Sequence, residues 1–274
     1  SYTRGLKPGG SNLTFSEGDE ALVRSAFEDE TIDAYEIGLK TEFMNSRVRT
    51  NVAAFYYDYT NLQFQASDFN EFGSGVSNIP ESEIYGVELE MTARIGDRFS
   101  LDVKLASMES EVSADYLALD NRLLIEDVLL ADGVTPAKEE IHGANRDVVG
   151  FLQNLSGNEL AKTPGLTADI SLGFEDQMKD GGYIGASLQY TFRGEFEQRV
   201  FNNPEVDTVD SYDLINLTMS YDNPDEVWGV DLIAYNLLDE DGINSAMTDV
   251  FGVNETGFQF VAPRQLMARL RYNF

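Results

Sequence analysis

The last ten residues, "QLMARLRYNF" (residues 265–274), decide how this chain is read. Leu266, Ala268, Leu270, Tyr272 and Phe274 fall on one face of an extended strand, and Met267, Arg269, Arg271 and Asn273 fall on the other. One face is apolar and the other is wet, and the alternation holds to the final residue.

The same period of two recurs in about ten segments. Tyr35, Ile37, Leu39 and Phe43 share a face with Thr41, opposite Glu36, Lys40 and Glu42. Tyr85, Val87, Leu89, Met91, Ala93 and Ile95 oppose Glu88, Glu90, Thr92 and Arg94, and Phe99, Leu101, Val103 and Leu105 oppose Asp102 and Lys104. Further strands are expected around residues 166–174, 184–192, 215–221 and 228–235. Short turns rich in Gly, Asn, Asp and Pro sit at 45–46, 96–97, 176–181 and 222–225, and long loops at 7–31, 61–83, 113–165, 194–210 and 237–262. Short connections on one rim and long ones on the other predict an all-β, antiparallel, up-and-down transmembrane barrel with short periplasmic turns and long extracellular loops. Strands of roughly 9–13 residues suit a tilted crossing of the hydrocarbon layer. A soluble sandwich has shorter strands and no need for Glu, Lys and Arg along one whole face. In a membrane barrel that face is the lumen.

Composition agrees. With 19 basic against 48 acidic side chains the formal charge is -29, which excludes nucleic acid as a partner, because phosphate neutralisation needs a basic surface. The 42% hydrophobic content is too high for a disordered acidic chain. No apolar run approaches the roughly 20 residues of a membrane helix, whereas barrel strands hide their apolar side chains in alternation. There is no cysteine, hence no disulfide or thiolate chemistry. "SYTRGLK" at the start lacks the apolar centre of an export signal.

Several motifs carry a more specific resemblance. The opening "SYTRGLKPGGSN" presents Gly5, Lys7, Gly9, Gly10 and Asn12; the next hairpin presents Glu36, Gly38, Lys40, Asn51, Phe55, Tyr59 and Gln63; "IYGVELEMTAR" supplies Gly86, Glu88 and Glu90. Gly157, Leu160 and Pro164 form a strand entry, Asn236, Leu237 and Asp239 an Asn-Leu-x-Asp ending, and "APRQLMARLRYNF" a Pro-Arg start and Phe end. In order and spacing these resemble the carboxyl-terminal part of the barrel of TonB-dependent outer-membrane receptors, over nearly the whole chain. The resemblance implies a roughly 22-stranded barrel around an amino-terminal plug, of which residues 1–274 form a single partial domain of about ten strands without plug or TonB segment: a carboxyl-terminal fragment, or one part of a split receptor. It further implies a Gram-negative outer-membrane location and TonB-energised uptake of a scarce solute such as a siderophore, other metal chelate, vitamin or oligosaccharide. The implied partners are outer-membrane lipid, the TonB complex through the plug region, a small-molecule ligand, and the barrel assembly machinery. Leu266, Leu270, Tyr272 and Phe274 match the terminal signature that this machinery recognises, with the aromatics at the periplasmic interface.

Such uptake needs no catalytic residue, and no cofactor or metal site is expected. His142 follows Glu139 and Glu140, but no second histidine or HExxH spacing supports a metal. "DEDG" at 239–242 lacks calcium-loop spacing and reads as a turn. "NRLLIEDVLLADG" (121–133) reads as a short amphipathic helix over the barrel mouth, or a lid that contacts ligand. Tyr59, Gln63 and Arg193 are placed near the outer mouth, and no residue is assigned as a ligand contact. Acidic loops attract cations, hold divalent ions between lipopolysaccharides, or stay solvated. Two rival functions remain: a passive pore, and a ten-stranded outer-membrane enzyme, whose rim would need Asp and His residues that this chain does not supply together.

Overall fold

The computed structural model describes residues 1–13, 23–67, 74–120, 152–248 and 256–273. His142, the 121–133 stretch and Phe274 lie outside the described residues. In chain order the strands are β1 (Tyr2–Lys7), β2 (Gly10–Ser11), β3 (Ala26–Phe27), β4 (Glu30–Phe43), β5 (Val48–Ser67), β6 (Ser74–Ile95), β7 (Phe99–Val112), β8 (Leu117–Leu119) and β9 (Leu152–Asn154). They continue as β10 (Leu166–Gln177), β11 (Tyr183–Arg193), β12 (Phe196–Glu197), β13 (Thr208–Val209), β14 (Tyr212–Asp222), β15 (Trp228–Tyr235), β16 (Ile243–Thr248), β17 (Thr256–Phe260) and β18 (Gln265–Tyr272).

Ten of these make one sheet in the order β1-β4-β5-β6-β7-β10-β11-β14-β15-β18, with each long strand beside its nearest long neighbour in sequence. Every pairing is antiparallel. The sheet does not close on itself: β1 and β18 are its two edges. The eight remaining strands form four two-stranded sheets, β2-β3, β8-β9, β12-β13 and β16-β17, all within the long connections.

The register joins like faces into ladders. Phe43, Val48, Ala93, Leu101, Leu172, Leu188, Leu217, Ala234 and Leu266 are successive cross-strand partners, an apolar row through nine strands. Ile37, Leu39, Val87, Leu172, Leu188 and Leu232 on this face are exposed, as expected of a face solvated by lipid rather than packed on a protein core. The opposite face joins Lys40, Asn51, Glu90, Lys104, Asp169 and Thr191 in one row. Along it Asn51 donates to Glu90 at 3.2 Å, Gln189 to Asp169 at 2.7 Å, and Thr92 to Asp102 at 2.9 Å.

Rings gather at both ends of the apolar face. At the short-turn end Phe99 meets Phe174 at 5.1 Å and Tyr221 meets Trp228 at 5.4 Å. At the long-loop end Tyr2, Tyr35 and Tyr56 form a file with centroids 5.3 and 6.4 Å apart. There Tyr2, Tyr56 and Tyr85 donate to Asp33, Glu83 and Glu109 at 2.6–2.7 Å, placing carboxylates just beyond the rings. This is the interfacial aromatic arrangement, apolar on one side and wet on the other.

Two sequence expectations need correction. Residues 61–83 are not simply a loop: β5 runs 20 residues and β6 runs 22, so this hairpin continues as strand well beyond the tyrosine file. The other long connections carry their own short strands rather than irregular chain. The short turns are as expected; Met44, Asn45 and Ser46 all have positive φ between β4 and β5.

Candidate functional site

Elements on the long-loop rim build a walled mouth. The extended ends of β5 and β6, the chain before β10 and the segment after β12 converge on a buried cluster of Ile79, Val112, Ala118, Leu155, Leu160 and Val200. Phe64 packs edge-on to Tyr116 at 5.8 Å, and Tyr116 shares a 2.7 Å hydrogen bond with Ser77. Burial pushes the Tyr116 phenol above its ordinary range. Asn158 donates to the carbonyls of Val200 and Phe201, and Asn202 donates to the carbonyl of Glu159, so the 155–163 segment and the β12-β13 connection are stitched together.

An ion triad fixes the same connection. Arg199 Nη1 donates to Asp120 Oδ1 at 2.8 Å, and Nη2 to Asp120 Oδ2 at 3.4 Å and Asp207 Oδ2 at 3.1 Å, while Nε holds Asp207 Oδ1. Both carboxylates are fully buried. Burial raises the Asp207 carboxyl above its usual range, and Arg199 pulls it back only part of the way. Next to it, Glu197 accepts from Thr208 at 3.0 Å through Oε1, while Oε2 is buried with no partner. Burial likewise pushes the Glu197 carboxyl up.

Between these walls lies a cavity of about 400 Å³, lined by Tyr59, Phe64, Ile79, Leu160 and Phe201 among others, with Arg199 at its side. Its volume falls within the range of small-molecule sites. At the opposite rim a polar recess of about 260 Å³ is bounded by Tyr183, Asp222, Glu226, Arg271 and Asn273. There Arg271 bridges Asp222 and Asp231, and Arg269 donates to Asp231 at 2.7 Å.

Tyr59 and Gln63 both line the cavity of about 400 Å³. Arg193 is nearby but committed elsewhere: it donates to the Asn244 carbonyl at 2.7 Å and lies 4.0 Å over the Phe196 ring. Asp239, of the "DEDG" turn, accepts from the Arg264 backbone N–H at 2.8 Å and pairs with its guanidinium at 3.5 Å. Leu266, Leu270 and Tyr272 lie on the apolar face of β18, 72%, 74% and 59% exposed. Arg199, Asp120, Asp207 and Phe201 escape the sequence reading. The available signal was a lone arginine beside Val200 and Phe201 in a loop otherwise carrying Glu195, Glu197, Glu205 and Asp207.

A two-faced antiparallel sheet, turned short on one rim and built up into a mouth on the other, is part of a large outer-membrane barrel. The chain belongs to the family described as TonB dependent receptor-like, beta-barrel, whose model matches residues 1–237; it is a family of transport receptors of the Gram-negative outer membrane. The ferric yersiniabactin uptake receptor FyuA from Yersinia pestis superposes with a TM-score of 0.68 at 18% identity, over 100% of this chain and 34% of that one. The siderophore receptor PiuA from Acinetobacter baumannii gives 0.64 at 16%, over 98% and 32%. The ferripyoverdine receptor of the outer membrane of Pseudomonas aeruginosa gives 0.61 at 15%, over 100% and 30%. At these identities the likeness is one of fold, and the chain spans about a third of the length of the solved receptors. No curated protein matches it in sequence.

Proposed function

We propose that residues 1–274 are one continuous carboxyl-terminal portion of the barrel of an uptake receptor. It captures a scarce solute at the outer mouth and admits it inward when TonB acts on an amino-terminal plug. The observation that carries this reading is the pairing of a family-type sheet, lipid face on one side and hydrogen-bonded polar lumen on the other, with a ligand-sized cavity at its outer rim. A siderophore or another metal chelate is favoured over a vitamin or oligosaccharide, because the similar structures are receptors for ferric yersiniabactin and ferripyoverdine. Such a receptor binds and admits its solute without making or breaking bonds in it. The outward apolar ladder takes outer-membrane lipid as its partner, and Leu266, Leu270, Tyr272 and Phe274 are offered to the assembly machinery.

The test is accumulation of radioactive iron, supplied in the organism's own iron-starved culture medium, by cells lacking the complete receptor, lacking TonB, or lacking neither. Loss of accumulation in both mutants is the expected result. Accumulation that survives removal of TonB but not of the receptor would make the protein a passive pore.

A further inference from the structure

The mouth cavity has a chemical preference legible in what its polar residues already do. Tyr59, Phe64 and Phe201 contribute rings, with Ile79 and Leu160 among the aliphatic walls. The polar lining is largely committed. The Gln63 amide donates to the carbonyls of Lys7, Pro8 and Glu28, the Thr163 hydroxyl to the carbonyl of Leu160, and the Gln198 amide to the carbonyl of Val206.

Among the described residues Arg199 is the only charged one lining the cavity, and both edges of its guanidinium are held by Asp120 and Asp207. Among the described residues the triad sets two buried carboxylates against one guanidinium. The adjoining Glu197 has a buried carboxyl oxygen without a partner, an acceptor rather than a donor unless protonated. An anionic group entering here sheds water, meets no uncommitted cation among the described lining residues and faces the Asp120 and Asp207 carboxylates behind Arg199. An aromatic ring meets three others, and a cationic one gains from both the rings and the carboxylates.

The geometry points to this cavity as a subsite for an uncharged or cationic planar ring, selective against carboxylate-bearing and other anionic groups. The assignment rests on the uptake reading for its purpose and narrows the solute to one carrying such a ring. A metal chelate would enter ring first, with any acidic groups turned away from Arg199.

The test uses the complete receptor in amphipol, without TonB, and saturation-transfer NMR with three probes that share one ring: indole-3-acetamide, tryptamine and indole-3-acetate. The acetamide and tryptamine are expected to bind, the acetate about tenfold or more weakly. Phe201→Ala should weaken both binders by about tenfold, as removal of a buried aromatic contact does. Gln65→Lys places a cation at an exposed rim position and should strengthen the acetate and weaken tryptamine several-fold. Because that position is exposed, Gln65→Lys remains decisive if Phe201→Ala fails to assemble. Equal or tighter binding of the acetate, no binding of any indole, or binding indifferent to both substitutions would each overturn the assignment. Iron accumulation in the TonB mutant is read separately: it tests transport alone, so either idea can fail while the other stands.

Discussion

At Asn236 the backbone enters the left-handed region with φ 47°, and the side chain ties down everything around it. Its amide donates to the carbonyls of Glu240 and Ala262 at 2.8 and 2.9 Å, and its oxygen accepts from Glu240 N–H at 2.8 Å, in a site 4% exposed. The Asn-Leu-x-Asp ending of β15 is thus a knot joining this strand to the start of β18. Asn236→Ala takes the partner from three part-buried backbone groups of Glu240 and Ala262 and puts a Cβ-bearing residue that lacks the asparagine amide at positive φ, at an expected cost of about 2 kcal/mol. Asn236→Gly should recover about 1 kcal/mol of that by relieving the backbone alone. Thermal midpoints of the folded, fast-migrating band on gels measure both; equal midpoints for the two variants would remove the backbone part of the argument. Glu197 sets a pH dependence of defined sign. Its folded-state pKa is raised by burial, so its contribution is fully present below the ordinary carboxylate range and is lost as pH rises through the raised value. Hydrogen exchange of β12-β13, corrected for the intrinsic pH dependence of the amides, should show more protection as pH falls from 7 into the carboxylate range. Glu197→Gln should flatten that trend, and a trend unchanged by the substitution would assign it to another group.

The strands themselves are where sequence and structure agree most closely. Alternation places a strand at 228–235, and β15 is Trp228–Tyr235; it places one at 215–221, within β14, Tyr212–Asp222. A period of two survives in sequence because one face meets lipid and the other water in every strand. The outer ends of β5 and β6 are hidden for a physical reason. There Gln63 pairs with Asn78 and Gln65 with Val76, near Pro80 and Gly75, so local chemistry reads as turn while partner strands and the buried Ile79 enforce extension. The mouth is less legible still, since Arg199 meets Asp120 across 79 residues of sequence. By contrast the Gly-x-Glu-x-Glu motif gains a clear cause: a Cβ on Gly86 would lie 2.3 Å from the Ser107 carbonyl oxygen and 2.8 Å from the Phe55 ring. Gly86→Ala should therefore cost about 1–3 kcal/mol through overpacking, read as a lower unfolding midpoint in urea; an unchanged midpoint would mean that the two neighbours yield freely. The two faces of β10 give a paired test. Leu172→Arg puts a charge into the apolar ladder at mid-strand and should cost about 2–4 kcal/mol. Ser171→Arg, one residue away and facing the lumen beside Asp102 in register, should cost far less. Equal losses would mean that the faces have been assigned wrongly.

Across the whole molecule the ten-stranded sheet has two edges, and β18 is the one that holds Leu266, Leu270 and Tyr272 of the proposed assembly signature. A bare edge is a row of unpaired backbone donors and acceptors, a template for adding another strand. In a barrel that row is filled at closure, so before closure β18 offers a recognition element with both a hydrogen-bonding edge and an apolar face. Strand addition of this kind takes affinity from the backbone and specificity from alternate side chains. Leu266, Leu270 and Tyr272 are three such alternate side chains, all exposed on the described strand, and Phe274 continues their parity in sequence. If they act in assembly, their contribution ends once the barrel has closed, because lipid then covers the same face. Phe274→Ala in the complete receptor should therefore lower the fraction reaching the heat-modifiable folded form several-fold. It should leave unchanged both the unfolding midpoint and the indole affinity of the molecules that do fold. A loss of stability with normal yield would instead make Phe274 part of the membrane anchor, and normal yield with normal stability would leave the proposed signature without a role in this protein.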